Sequence, residues 1–103
     1  MKIIAITACP TGVAHTYLAE ANLKKNALKK GIPLLVETHG AVDSEYIFTE
    51  EDIQQADIVL IAADKVIDLS RFHNKNIIRV SVTRAAKDAA GLLDEIVTGK
   101  LQP

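Results

Sequence analysis

Four short runs rich in β-branched and other apolar residues constrain this chain more than any other feature: Lys2–Thr7, Leu34–Thr38, Asp57–Ala62 and Ile77–Val82. A strand with one face in water alternates apolar and polar residues, whereas these runs are apolar almost throughout. They read as strands covered on both faces, which is how a parallel sheet with crossover helices is built. Helical patterns fill the intervals between them. With right-handed crossovers, four such strands most simply form an α/β fold, an open doubly wound four-stranded parallel sheet in the order 2-1-3-4 with helices on both faces. At 103 residues the chain is expected to be a single domain, spanning 1–103.

The first helix is expected over Ala14 to Lys30, with Ala14, Tyr17, Leu18, Ala21 and Leu28 as its apolar stripe and Leu23 and Ala27 off it. Gly31 and Pro33 supply the stop. Lys24, Lys25, Lys29 and Lys30 read as a solvated face whose charge suits the C-terminal end of the helix dipole. A short second helix starts at Thr49, where Thr-x-x-Asp with Asp52 is a variant capping box. The last helix is expected to begin near Arg84 or Ala85 and to end before Gly99, burying Ala86, Ala89, Ala90, Leu93, Ile96 and Val97 and weakened locally by Gly91.

Composition removes several classes of function. Twelve Lys and Arg against thirteen Asp and Glu leave a net charge of −1, so no global field draws the chain to nucleic acid or an anionic membrane. The apolar runs are far shorter than the ~20 residues of a spanning helix, so no direct membrane insertion is expected. The first residues begin directly as a β-like run with no signal-peptide pattern, which points to the cytoplasm. One cysteine, Cys9, rules out an internal disulfide, a C-x-x-C redox pair or a cysteine-rich metal centre; no metal and no cofactor is expected.

In the 2-1-3-4 order the switch point lies between the first and third strands, and the crevice lies at the carboxyl ends of the strands. The loops after strands one (Ala8 to Thr16), two (His39-Gly40) and three (Ala63-Asp64-Lys65) converge there. The first carries Cys9-Pro10-Thr11-Gly12-Val13-Ala14-His15-Thr16, a cysteine at a strand end leading through a turn to a helix N-terminus. Unpaired amides and the positive end of the dipole favour a thiolate there, and equally a phosphoryl group attached to it. Pro10 restricts the backbone of Cys9, Gly12 lets the loop turn, and Thr11 and Thr16 add hydroxyl donors. Cys9 can instead be a small buried hydrophobe and Pro-Thr-Gly merely a turn. His15 either bonds the anion or is simply exposed; His39, Gly40 and Asp64 stand at the periphery of the site, and His73 has no visible role.

What the loop lacks discriminates further. A low-molecular-weight cysteine-dependent phosphatase would place Arg six residues after the cysteine, where this chain has His15, and no Asp-Pro follows to serve as general acid. There is no Gly-x-x-x-x-Gly-Lys-Ser/Thr, no Gly-x-Gly-x-x-Gly and no acidic pair after the first strand. A loop that can hold phosphate on cysteine without the means to hydrolyse it suggests a carrier.

The run Thr7-Ala8-Cys9-Pro10-Thr11-Gly12-Val13-Ala14-His15-Thr16-Tyr17-Leu18-Ala19-Glu20-Ala21 resembles the active-site signature of fructose-type enzyme IIB of the bacterial phosphoenolpyruvate-dependent sugar phosphotransferase system. Val36-Glu37-Thr38-His39-Gly40, Glu51-Asp52-Ile53, Ala56 to Asp64 and Arg71-Phe72 extend the match over nearly the whole chain. The resemblance implies that a phosphohistidine on enzyme IIA phosphorylates Cys9, that Pro10 to Thr16 form the binding loop, and that a fructose-like sugar held by membrane enzyme IIC is the acceptor. It also implies association with the inner face of the membrane through that partner. Val13, Tyr17 and Leu18 stand where Ile, Phe and Met are expected, and His39 where many relatives have Gln. Two other readings stay beside the carrier: a cysteine phosphatase or arsenate reductase, and a non-catalytic docking module.

Overall fold

The computed structural model describes residues 1–8, 14–39, 47–64 and 66–101, with Ala14 described in its backbone alone. The strands are β1 (Ile3–Ala8), β2 (Leu34–His39), β3 (Ile58–Ala63) and β4 (Ile77–Val80). The helices are α1 (Ala14–Lys30), α2 (Glu50–Gln55), α3 (Val82–Lys87) and α4 (Ala89–Val97), with a 3₁₀ turn at Ser70–Phe72. All the strand pairs are parallel, in the order β2-β1-β3-β4, as the apolar runs require.

The two faces of the sheet carry two separate cores. Ile3 and Ala5 of β1, Val36, Ile58, Leu60, Ala62 and Ile78 face α1, α3 and α4. Ile4, Ile6 and Ala8, with Val59 and Ile61, face the other side, where Phe48, Ala56, Ile67 and Phe72 cover them. Burial on both sides explains why the strands lack alternation: every residue of β1 is buried. The connection from β1 to β2 runs through α1 and that from β2 to β3 through α2, on opposite faces, so the chain parts on either side of β1 at its carboxyl end.

Helix α1 has the expected limits but not the expected face. Thr16, Ala19, Leu23 and Ala27 are buried, while Leu18 and Leu28 are 47% and 83% exposed and Ala21 is exposed too. The small residues win because they let α1 lie close on the sheet and against α3, where Asn22 Nδ2 donates to the Ala86 carbonyl. Two leucines on the outside cost little by comparison, since exposed apolar side chains are common. The helix stops at Gly31, whose φ of +68° closes a Schellman pair: Ile32 N donates to Ala27 O and Gly31 N to Leu28 O. The four lysines named above are exposed.

The C-terminal region also departs from expectation. β4 ends at Val80, and Ser81 caps α3 by accepting from Arg84 N at 3.1 Å, so Val82 belongs to a helix. The single expected helix is two, broken at Asp88, whose φ and ψ of −138° and 44° are not helical. The break rotates the second segment so that Leu92 joins Ala89, Leu93 and Ile96 in the core, whereas Ala90 is exposed and Val97 is 47% exposed. At Thr49 the capping box forms in full, with Asp52 N donating to Thr49 Oγ1 at 3.1 Å and Thr49 N to Asp52 Oδ2 at 3.0 Å.

Candidate functional site

Register brings the expected segments together. Ala8, immediately before Cys9, pairs with His39 at the end of β2 and with Ala63 at the end of β3. Asp64 N donates to Ala8 O at 3.2 Å, extending the β1–β3 contact past the strand end. The carboxyl ends of three strands and the N-terminus of α1 therefore border one place. Cys9, Pro10, Thr11, Gly12, Val13 and Gly40 lie outside the described residues, as does the side chain of Ala14.

The described members of the expected site play different parts. His15 is exposed, and Thr16, in the first turn of α1, is fully buried. The Asp64 carboxylate accepts from Val82 N at 3.1 Å and so holds the start of α3 against the end of β3. Beside it a cleft lined by Ile61, Ala63, Asp64, Val66 and Arg79 opens along the β3–β4 side.

His39 is tied into a network whose members the spacing of the sequence does not pair. Its Nε2 lies 2.7 Å from Glu37 Oε1, and the Glu37 side chain is only 4% exposed. Arg71 donates to the same carboxylate from both terminal guanidinium nitrogens, and Phe48 N donates to Oε2 at 3.1 Å. Burial pushes the Glu37 carboxyl up, but the bonds from Arg71, His39 and Phe48 and the charge of Arg71 outweigh it and hold the group below the usual 4.5. Arg71 in turn lies over the Phe72 ring at 5.1 Å, and Phe72 meets Phe48 edge-on. One carboxylate thus fixes β2, the residues leading into α2 and the 3₁₀ turn. The signal was present in the sequence: an acid following Leu34-Leu35-Val36 in a doubly covered strand needs a cation, though nothing in the spacing says which.

Beneath α1 a second polar group is buried. Thr7 pairs in register with Thr38 and with Ala62, whose side chain is in the core under α1 and α3, so both threonines face that helix layer. The hydroxyls of Thr7, Thr16 and Tyr17 are enclosed and have no hydrogen-bond partner among the described residues. Among the described residues no group of three or more His, Cys, Asp and Glu is arranged to hold a metal ion, and no helix is long and apolar enough to cross a membrane.

Comparison with known proteins agrees with this geometry. The family model for the lactose/cellobiose-specific IIB subunit of the phosphotransferase system matches residues 4–95. The fructose-specific EIIB'BC component of Rhodobacter capsulatus is 47% identical over 94 residues, covering 91% of this chain but 16% of that protein. The chain therefore spans about a sixth of that relative. The fructose-like EIIB component 2 of Escherichia coli is 44% identical over 96 residues, covering 92% of this chain and 91% of that protein. A domain of the fructose-specific IIABC component of Borrelia burgdorferi superposes with a TM-score of 0.88 at 40% identity, covering 99% of this chain and 95% of the domain. With the sheet order and these relatives in agreement, the chain belongs to the enzyme IIB family of the sugar phosphotransferase system, among its fructose-type members.

Proposed function

We propose that the chain is a phosphocysteine carrier: Cys9 takes a phosphoryl group from a phosphohistidine on enzyme IIA and passes it to a fructose-like sugar held by membrane enzyme IIC. The observation that carries the reading is the position of Cys9, the sole cysteine, between the last residue of β1 and the start of α1. In the sequence it thus lies on the connection from a strand end at the topological switch point to a helix N-terminus.

In the loading step the thiolate sulfur attacks phosphorus, the P–N bond breaks with its electron pair going to the imidazole nitrogen, and an S–P bond forms. In the second step a sugar hydroxyl oxygen attacks phosphorus and forms an O–P bond, its proton passes to a base on the acceptor side or to water, and the S–P bond breaks with its electron pair on sulfur, which returns the thiolate. Amides at the start of α1 and the helix dipole favour both the thiolate and its phosphorylated product. Pro10 to Thr16 would supply the binding loop, which contains no carboxylate to activate water, so the phosphothiol is expected to be lost slowly in isolation. Names of relatives such as fructose-specific EIIABC component join IIA, IIB and IIC on one chain, which supports the pairing with IIA and IIC. The chain is read as one IIB domain working on the cytoplasmic side of the membrane.

The test is incubation with phosphorylated enzyme IIA followed by mass mapping. A single phosphothiol on Cys9, absent from Cys9→Ser, is expected. A Cys9→Ser protein that still supports full sugar phosphorylation overturns the assignment.

A further inference from the structure

The chain has three arginines, and two of them have partners: Arg71 is held by Glu37, and Arg84 pairs with Glu95. Arg79 makes no ion pair or hydrogen bond among the described residues. It interrupts the apolar run of β4, whose other residues are Ile77, Ile78 and Val80, and in register it lies beside Ile61 of β3. Paired residues of neighbouring parallel strands point to the same face, so Arg79 stands on the face where Ile61 and Ala63 join the core with Phe48 and Phe72. That core stops short of Arg79, which is exposed. Any charge would help to keep an edge strand from pairing with another sheet. A guanidinium on the wall of a cleft can do more.

The cleft that Arg79 lines with Ile61, Ala63, Asp64 and Val66 encloses about 260 Å³, room for a small metabolite rather than for a peptide. It lies toward the carboxyl ends of β3 and β4, the side of an open α/β sheet on which ligands bind. Asp64 follows the register partner of Arg79, Ile61, by three residues, which sets the two charged residues about 10 Å apart along the strand direction. One Asp64 oxygen, Oδ1, accepts from Val82 N, while Oδ2 has no partner among the described residues. Ile61 and Ala63 give the cleft an apolar side, and Val66, 93% exposed, adds an apolar side chain that no core covers.

A bare anion would satisfy Arg79 and be repelled by Asp64, and a bare cation would do the reverse. One molecule meets both when it carries a phosphate at one end and hydroxyls at the other: a guanidinium grips phosphate through parallel N–H···O bonds, and a carboxylate accepts from hydroxyls. Its C–H surface then lies against Val66, Ile61 and Ala63. We propose that this cleft binds a sugar monophosphate, with the phosphate on Arg79 and hydroxyls on Asp64 Oδ2. A zwitterion balances the same charges, but a sugar phosphate is what the second transfer step produces, and for that choice the proposal rests on the carrier reading. The product is thereby assigned a site on β3 and β4, apart from the β1–α1 connection that carries Cys9.

The test uses the full chain with Cys9 blocked by iodoacetamide, so that the thiol takes no part, and titrates it with fructose 1-phosphate, fructose 6-phosphate, fructose and inorganic phosphate. Binding is read from the backbone amide NMR signals of Val66 and Arg79. At least one of the two sugar phosphates is expected to shift both signals and to bind about tenfold more tightly than fructose or inorganic phosphate, the scale of one hydrogen bond to a charged group. Arg79→Gln should weaken that binding about tenfold for the same reason. Asp64→Asn keeps an acceptor for Val82 N but loses the carboxylate, and should reduce the preference over inorganic phosphate. Absence of binding by either sugar phosphate overturns the proposal, as does unchanged affinity in Arg79→Gln. Equal affinity for inorganic phosphate, or a preference undiminished in Asp64→Asn, overturns it too, because the hydroxyls are then not recognised. If the sugar phosphate binds while phosphorylated enzyme IIA fails to load unblocked Cys9, the cleft stands and the carrier reading falls; normal loading without binding has the opposite meaning.

Discussion

Arg71 and Glu37, 34 residues apart, form a two-armed ion pair, with Nη2 2.8 Å from Oε1 and Nη1 3.1 Å from Oε2. The pair is asymmetric in burial, the Glu37 side chain being 4% exposed and that of Arg71 34%. Removing the arginine therefore strands a charge in the interior, where removing the acid would leave a cation able to reach water. Arg71→Leu is expected to destabilise the fold by about 3 kcal/mol, the lower end of the range for breaking a buried pair. The double variant Arg71→Leu/Glu37→Leu should recover most of that loss. Urea unfolding of the three proteins measures it; a double variant no more stable than Arg71→Leu would mean that packing rather than charge holds the 3₁₀ turn.

The same carboxylate makes stability depend on pH. Its folded pKa lies below the usual 4.5, so folding favours the ionised form. The contribution is fully present above that ordinary value and is lost as pH falls through the lower, folded one. Wild type should therefore exceed Glu37→Gln in stability at pH 6, and the gap should close as pH is lowered below 4.5. A gap constant from pH 6 down to pH 3, measured by urea unfolding, would show that the charge of Glu37 contributes nothing.

The sheet was legible because its signal is local: four apolar runs at strand length, with helices between them, leave few topologies once handedness is imposed. The limits of α1 and the capping box at Thr49 were legible for the same reason, each being written in neighbouring residues. The buried face of α1 was not. Leu18 and Leu28 outweigh alanines in any hydrophobic pattern, yet close approach to α3 selects Ala19 and Ala27. The break at Asp88 was hidden because the residue that weakens a helix in this run, Gly91, lies past the break and not at it. Arg71 could be matched to the family pattern but not paired with Glu37, because a contact across 34 positions leaves no spacing to read.

Gly91 offers a test of the broken helix. A Cβ built there would lie 2.6 Å and 2.7 Å from the carboxylate oxygens of Asp88. That carboxylate is the end of an exposed side chain and caps no helical amide, so it can swing away without losing a bond. The gain in helix propensity, up to about 1 kcal/mol for Gly to Ala, should then prevail. Gly91→Ala is expected to raise the melting temperature by a few degrees, at ~4–8 °C per kcal/mol for a domain of this size. A lowered melting temperature would show that Asp88 is fixed in place and that the break between α3 and α4 depends on it.

Asp64 separates a structural role from a chemical one at the edge of the site. Its position at the end of β3 made it a candidate for the periphery, and its Oδ1 accepts from Val82 N at 3.1 Å. With Ser81 Oγ accepting from Arg84 N, it satisfies amides of the first turn of α3, which would otherwise have no acceptor. Asparagine retains that acceptor and loses only the charge, whereas alanine loses both. Asp64→Ala is expected to cost about 1 kcal/mol, as for loss of a helix N-cap, and Asp64→Asn a few tenths at most. If the carboxylate serves only the helix, Asp64→Asn should also leave the rate of Cys9 phosphorylation by enzyme IIA unchanged. Were it instead to move protons or repel the incoming phosphoryl group, the Asn variant would alter that rate with no change in stability. Paired measurement of unfolding free energy and loading rate on the two variants distinguishes these outcomes, and a rate change in Asp64→Asn would return the residue to the reacting site.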